Sequence, residues 1–176
     1  MNQNQAQRLD KGHKDMHQLN KVFLTLADGT ENTLINGGSY ADIDENNIDS
    51  VVFSKTDLTL NGSGSLTIDA QAGHGVVSKD ELTITGGSYT VTAAGHGMAG
   101  KDSLAVAGGT FTITSGKDGL HAENADDSSL GFLYVADGEF TIAAQGDAVS
   151  ASGALQADGG TFDLTTGEGS ASVTMD

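Results

Sequence analysis

The chain contains no cysteine, no proline and no tryptophan, and only 5% of its 176 residues are aromatic. Without cysteine there is no disulfide framework, and thiol usage says nothing about the compartment. No run of about 18 apolar residues occurs, so no helix of the sequence spans a membrane. The first twenty residues are polar and have no apolar core, so they are not a signal peptide; the protein is either cytosolic or its leader lies outside this chain. Basic residues are also scarce. Eight Lys and Arg face 24 Asp and Glu, a net charge of −16, which repels nucleic-acid phosphates and anionic lipid heads. Nucleic-acid and membrane-surface roles are therefore excluded. Metal binding, or a neutral or specially accommodated ligand, remains.

What is abundant is glycine, 25 residues, placed at regular intervals. Residues 74–95 and 96–117 are one 22-residue unit written twice: Leu82, Ile84, Tyr89 and Val91 return as Leu104, Val106, Phe111 and Ile113, and Gly86-Gly87 as Gly108-Gly109. Residues 118–146 repeat it with seven extra residues, residues 147–168 at the original length, and residues 50–73 with two extra. Such a fixed period is the mark of a solenoid. Within a copy the period is two: in Leu82-Thr83-Ile84-Thr85 and Tyr89-Thr90-Val91-Thr92 apolar residues alternate with threonine, as in strands with one buried face. A third short strand passes through Val76, Met98, Leu120 and Val149. The paired glycines supply the positive-φ corners. The fold class is therefore all-β: a right-handed parallel β-helix of about five coils over residues 50–168, each stacked about 4.8 Å above the last. Residues 1–21 form an arm or irregular cap, residues 22–49 N-terminal strands and an acidic loop, and residues 169–176 a C-terminal tail. Val22–Leu26 reads as a strand, Ala27–Thr30 as a turn and Asn32–Ile35 as a returning strand. Leu9, Met16 and Phe23 allow a short capping helix; His13 and His17 have helical ligand spacing but no third ligand, and read as solvated surface.

Stacking turns repeats into surface columns. At the coil junction the column is Ser50, His74, His96, Asp118, Asp147. Asp118 and Asp147 fall about one coil apart, and two carboxylates that close repel unless a hard cation such as Ca²⁺ joins them. The alternative is that both cap turns in solvent. His74 and His96 either form a neutral imidazole ladder or, with Asp118, hold a transition metal. A second column, Lys55, Lys79, Lys101, is the basic edge of the repeats; it is either self-neutralised by Asp57, Asp80 and Asp102 or meets successive carboxylates of an acidic polymer. The seven-residue insertion places Glu123, Asp126 and Asp127 in one loop, where a cation or plain solvation are both open. Tyr134 takes an outward phase and can stack on a sugar ring. The outward threonines, among them Thr67, Thr90, Thr112 and Thr141, raise ice binding, but exposed strand positions suit threonine in any case. The sole arginine, Arg8, lies outside the repeats, and no paired acid and base or nucleophile with base stands out, so the chain reads as non-catalytic.

The segments LTLADGTENTL (24–34), SKTDLTLNGSGSLTI (54–68), HGVVSKDELTITGGSYTVTAAG (74–95), GKDSLAVAGGTFTI (100–113) and GFLYVADGEFTIAAQGDAV (131–149) resemble the extracellular carbohydrate-binding domain family of cellulosome-type and gut bacteria. Two junctions read Gly-His-Gly (73–75 and 95–97) where the family reads Gly-Asp-Gly. The resemblance implies a pectate-lyase-like β-helix, calcium as cofactor, affinity for cellulose and acidic sugars, and a place outside the cell or on its surface. It also implies a segment of a longer protein. The expected function is non-catalytic binding of cell-wall polysaccharide, calcium-assisted, with Lys55, Lys79, Lys101 and Tyr134 at the ligand and Asp118, Asp147, Glu123, Asp126 and Asp127 at the metal. The alternatives are a structural spacer or adhesin segment, and a polysaccharide lyase.

Overall fold

The computed structural model describes residues 21–39, 48–167 and 169–175. The N-terminal arm with His13 and His17, and most of the acidic loop over 42–49, lie outside the described residues. Among the described residues there are eighteen strands and no helix. They form three sheets of six, seven and five strands. Consecutive strands never share a sheet within a repeat: His74–Ser78 joins the five-stranded sheet, Glu81–Ile84 the six-stranded and Ser88–Ala93 the seven-stranded. Each then pairs in parallel with its counterpart one repeat away. This is the parallel β-helix that the period predicts.

The register follows the repeat residue by residue. Leu58, Leu82, Leu104 and Leu133 form one inner column, continued in register by the exposed Leu155 at the last rung, and Leu66, Tyr89, Phe111, Phe140 and Phe162 form another. Alternation buries one face of each strand because successive side chains point to opposite sides of the pleat. Hence Phe111 is 1% exposed while its neighbours Thr110 and Thr112 face solvent. The aromatic column is a stack of near-parallel rings, Tyr89–Phe111 at 5.3 Å, Phe111–Phe140 at 4.8 Å and Phe140–Phe162 at 4.7 Å. The Tyr89 hydroxyl donates to the Gly86 carbonyl at 2.9 Å, and burial pushes the phenol up to about 12.

In the paired corners only the second position needs glycine. Gly87, Gly109, Gly138 and Gly160 have φ of 102°, 128°, 139° and 109°, a region costly for other residues. The first position takes Asp137 in the third of these corners without penalty.

Two N-terminal strands differ from a hairpin. Lys21–Leu26 runs parallel to Asp57–Gly62, and Glu31–Ile35 parallel to Ser65–Ala70. The Ala27–Thr30 turn, closed by Thr30 donating to the Ala27 carbonyl at 3.1 Å, is a coil corner that sends the chain into the next sheet. Residues 21–35 are thus a further rung. At the other end Gly169–Met175 turns back and pairs antiparallel with Gly160–Thr166.

Candidate functional site

The five-stranded sheet carries the site because its outward side chains are small at the middle rungs, between Phe53 and His121. Phe53, Val77, Ala99, His121 and Ser150 form its outer column. Over Val77 and Ala99 lies a groove of about 390 Å³, with Lys79, Lys101 and Glu123 along one side and Asp49 and His74 along the other. The lysine column and the insertion both belong to the corner where this sheet passes to the six-stranded one, since strands Met98–Gly100 and Ser103–Val106 flank Lys101 and strands Leu120–Ala122 and Phe132–Val135 flank the insertion. The groove is therefore bipolar. It is cationic at two rungs of one wall and anionic opposite and above.

The predicted lysines divide. Lys79 and Lys101 stack one rung apart and line the groove, while Lys55 is exposed and outside its lining. The Lys79 ammonium stands 5.9 Å from the centre of the Phe53 ring. Lys101 donates to Asp126 at 2.6 Å, so its charge is met by the insertion as well as by the neighbouring aspartates. That hydrogen bond holds the Lys101 ammonium above its ordinary pKa and the Asp126 carboxyl below its own. Asp80 moves the opposite way, raised first by burial and then by Asp102 and Asp57.

The insertion is built on Asn124, the residue of the loop with a buried side chain. Its amide donates to Asp102 at 2.7 Å, and its carbonyl accepts the backbone N–H of Asp126 and of Asp127. The loop carboxylates turn to separate partners: Glu123 to His121 at 3.3 Å, Asp126 to Lys101, and Asp127 to the Ser129 hydroxyl at 2.6 Å. Tyr134 projects from the six-stranded sheet, away from the groove lining, and donates to Asp158 at 2.8 Å.

The junction column is an imidazole stack, and it recruits a residue that periodicity alone does not place there. His74 and His96 lie 4.9 Å apart and nearly parallel, and His121 continues the stack 4.0 Å from His96. Asp118, one repeat after His96, instead caps the turn: its Oδ1 accepts the Asp147 N–H at 2.8 Å and its Oδ2 turns toward His121 Nδ1 at 2.8 Å. Asp147 itself is exposed. The donors around Asp118 are thus imidazole nitrogens rather than the oxygens that calcium prefers. Among the described residues, His96, Asp118 and His121 are the one trio whose ligand atoms all lie within 4.8 Å of one another.

The stack is built for neutral rings. His74 Nδ1 accepts the His96 N–H at 2.8 Å and His96 Nδ1 accepts the Asp118 N–H at 3.2 Å. Protonation would turn each acceptor into a donor facing a donor. Burial pushes His96 down to about 4; the His121 and His74 rings act in the same direction and Asp118 opposes them. Burial lowers His74 as well, against Asp49. Between an unfolded value near 6.5 and the folded value near 4, the unfolded chain binds a proton that the folded one refuses. Stability from this residue is therefore full above about 6.5 and falls as pH drops toward 4. Melting curves in chelator should show that decline, and His96→Gln should flatten it.

A family profile for carbohydrate-binding domain-containing proteins matches residues 13–176. The chain belongs to that family. A carbohydrate-binding domain-containing protein of Acetivibrio thermocellus is 37% identical over 75 residues, 42% of this chain and 26% of the relative. The solved structure of the polysaccharide lyase-like protein from C. thermocellum, a gadolinium derivative, superposes with a TM-score of 0.79 at 31% identity, covering 84% of this chain and 60% of that one. The chain thus spans about a quarter of the first relative and three fifths of the second. The superposition agrees with the parallel β-helix.

Proposed function

We propose that this carbohydrate-binding domain binds acidic plant-cell-wall polysaccharide, without cleaving it, in the groove of the five-stranded sheet. The observation that supports the reading is the bipolar lining. Uronate carboxylates find Lys79 and Lys101 on one wall, and sugar hydroxyls find the acceptors Asp49 and Glu123. In a chain of charge −16 this edge is where a polyanion can approach. An aromatic platform for neutral crystalline glucan is lacking in the groove, and Tyr134 is tied to Asp158. Calcium would find its ligands among exposed carboxylates such as those of Glu123, Asp127 or Asp147, and would supply positive charge to ligand carboxylates. A ligand of this kind belongs outside the cell or on its surface.

Calorimetric titration with polygalacturonate tests the reading. Binding is expected at low ionic strength and should weaken steeply toward physiological salt, because partly exposed charges are screened over about 8–10 Å. Parallel titrations with and without added Ca²⁺ measure the ion's share of the affinity. No unsaturated uronate product should accumulate on long incubation. Failure to bind any glycan would favour a spacer role instead.

A further inference from the structure

We propose that His96, Asp118 and His121 form a site for a borderline divalent transition-metal ion, with Zn²⁺ as the natural occupant, at the end of the imidazole stack. Three electron-pair donors converge there. His96 Nδ1 lies 3.4 Å and His121 Nδ1 2.8 Å from the same oxygen, Asp118 Oδ2. Ligands about 2.0–2.1 Å from a tetrahedral zinc are separated from each other by about 3.3 Å, and the two observed distances bracket that spacing.

The hydrogen-bond pattern shows why the site calls for a cation. His121 Nε2 faces the Glu123 carboxylate at 3.3 Å, and the proposed site takes the tautomer with the ring proton on that nitrogen. Nδ1 is then a lone pair. It is fully buried, and it has no aligned hydrogen-bond partner despite the carboxylate oxygen beside it. Two acceptors held 2.8 Å apart out of water repel unless a positive charge sits between them. The tautomer of His96 suits the same role, since its Nδ1 already accepts from the Asp118 N–H. That bond is long, 3.2 Å, and loading the site exchanges it for a metal bond. Glu123 takes the place of the outer carboxylate that commonly orients a metal-binding histidine and raises its basicity. Two imidazoles with one carboxylate suit zinc, copper or nickel, not calcium or magnesium. The three side chains are each 15–16% exposed, and His121 also lines the groove, so an ion has a way in from that side. His74 is outside the trio: its Nδ1 accepts the His96 N–H and its Nε2 faces Asp49 at 3.3 Å.

The experiment uses the full chain with His13→Gln and His17→Gln, so that the N-terminal histidines contribute no background, stripped with chelator. Zn²⁺ titration should show one equivalent bound and a raised melting temperature. Co²⁺ should give the visible absorption of a tetrahedral nitrogen–oxygen site. Ca²⁺ and Mg²⁺ should not displace either ion. His121→Gln and His96→Gln should each abolish stoichiometric binding, and Glu123→Gln should weaken it about 10- to 100-fold, while His74→Gln leaves it unchanged. Circular dichroism of each metal-free variant checks that the β-helix is intact. The proposal is overturned if no equivalent of Zn²⁺ binds, as expected were a proton to bridge His121 and Asp118 instead. It is equally overturned if binding survives the His96→Gln/His121→Gln double variant, or if His74→Gln abolishes it.

Discussion

Phe111→Ala should destabilise the domain by about 3–5 kcal/mol, a fall in melting temperature of roughly 6–20 °C for a chain of this size. The ring is 1% exposed and lies between Tyr89 and Phe140 at 5.3 and 4.8 Å. Removing it opens a hole with an aromatic face on both sides. The rungs above and below are pinned by their own backbone ladders, so the site can relax only slightly. Thr112→Ser, one residue away on the exposed face, should cost well under 1 kcal/mol. Thermal and urea melts of the two variants measure both. A loss for Phe111→Ala as small as that for Thr112→Ser would mean that the stacked rings do not hold neighbouring rungs together.

The second large effect concerns ligand. Lys79→Gln with Lys101→Gln should weaken polygalacturonate binding by roughly 5- to 30-fold, taking about 0.5–1 kcal/mol for each partly exposed charge contact. Neutral glucans should bind the variant as they bind the parent. Asp126→Asn should act in the opposite sense. Asp126 is 80% exposed at its side chain and competes for the Lys101 ammonium, so neutralising it frees a cation for the polymer and lessens repulsion. Opposite shifts from the two changes, read by titration at one low salt concentration, would assign the lysine wall to the ligand. Unchanged affinity in the lysine double variant would leave that wall as a self-neutralised ladder and direct attention to the loop at Glu123–Asp127.

The fold was legible because a parallel β-helix writes its register into its period. Leu82 lies against Leu104, and Phe111 against Phe140, as the repeat length demands. The site was less legible, for a physical reason. Alignment by 22 residues sets Asp118 above His96, and the backbone does follow that order, with Gly97 donating to the Asp118 carbonyl. Side chains are not bound by it. His121, three residues beyond Asp118 and on the outer face of the next strand, lays its ring over His96 while Asp118 folds down to cap the turn. The signal was present as an Asp–His pair at i and i+3 across Gly119, but periodicity treats it as two unrelated columns. Likewise Lys101 finds Asp126 25 residues away, because the insertion folds back over its own corner around Asn124. The strands at 21–35 read as out-and-back in sequence because their turn resembles a hairpin turn; the pairing partners that make them a rung lie in the following repeat.

The antiparallel strand Gly169–Met175 occupies the hydrogen-bonding edge that another parallel rung of the seven-stranded sheet would use. Growth of the solenoid by addition at that edge is blocked, yet growth from within is not. Residues 74–95 enter and leave their rung at equivalent points, and both neighbours are in register. Duplicating that segment in tandem would lengthen the molecule by one rung of about 4.8 Å and carry a third groove-lining lysine with it, while the closing strand stays where it is. Groove length is thus a modular quantity in this architecture, adjustable in whole turns by copying an interior unit.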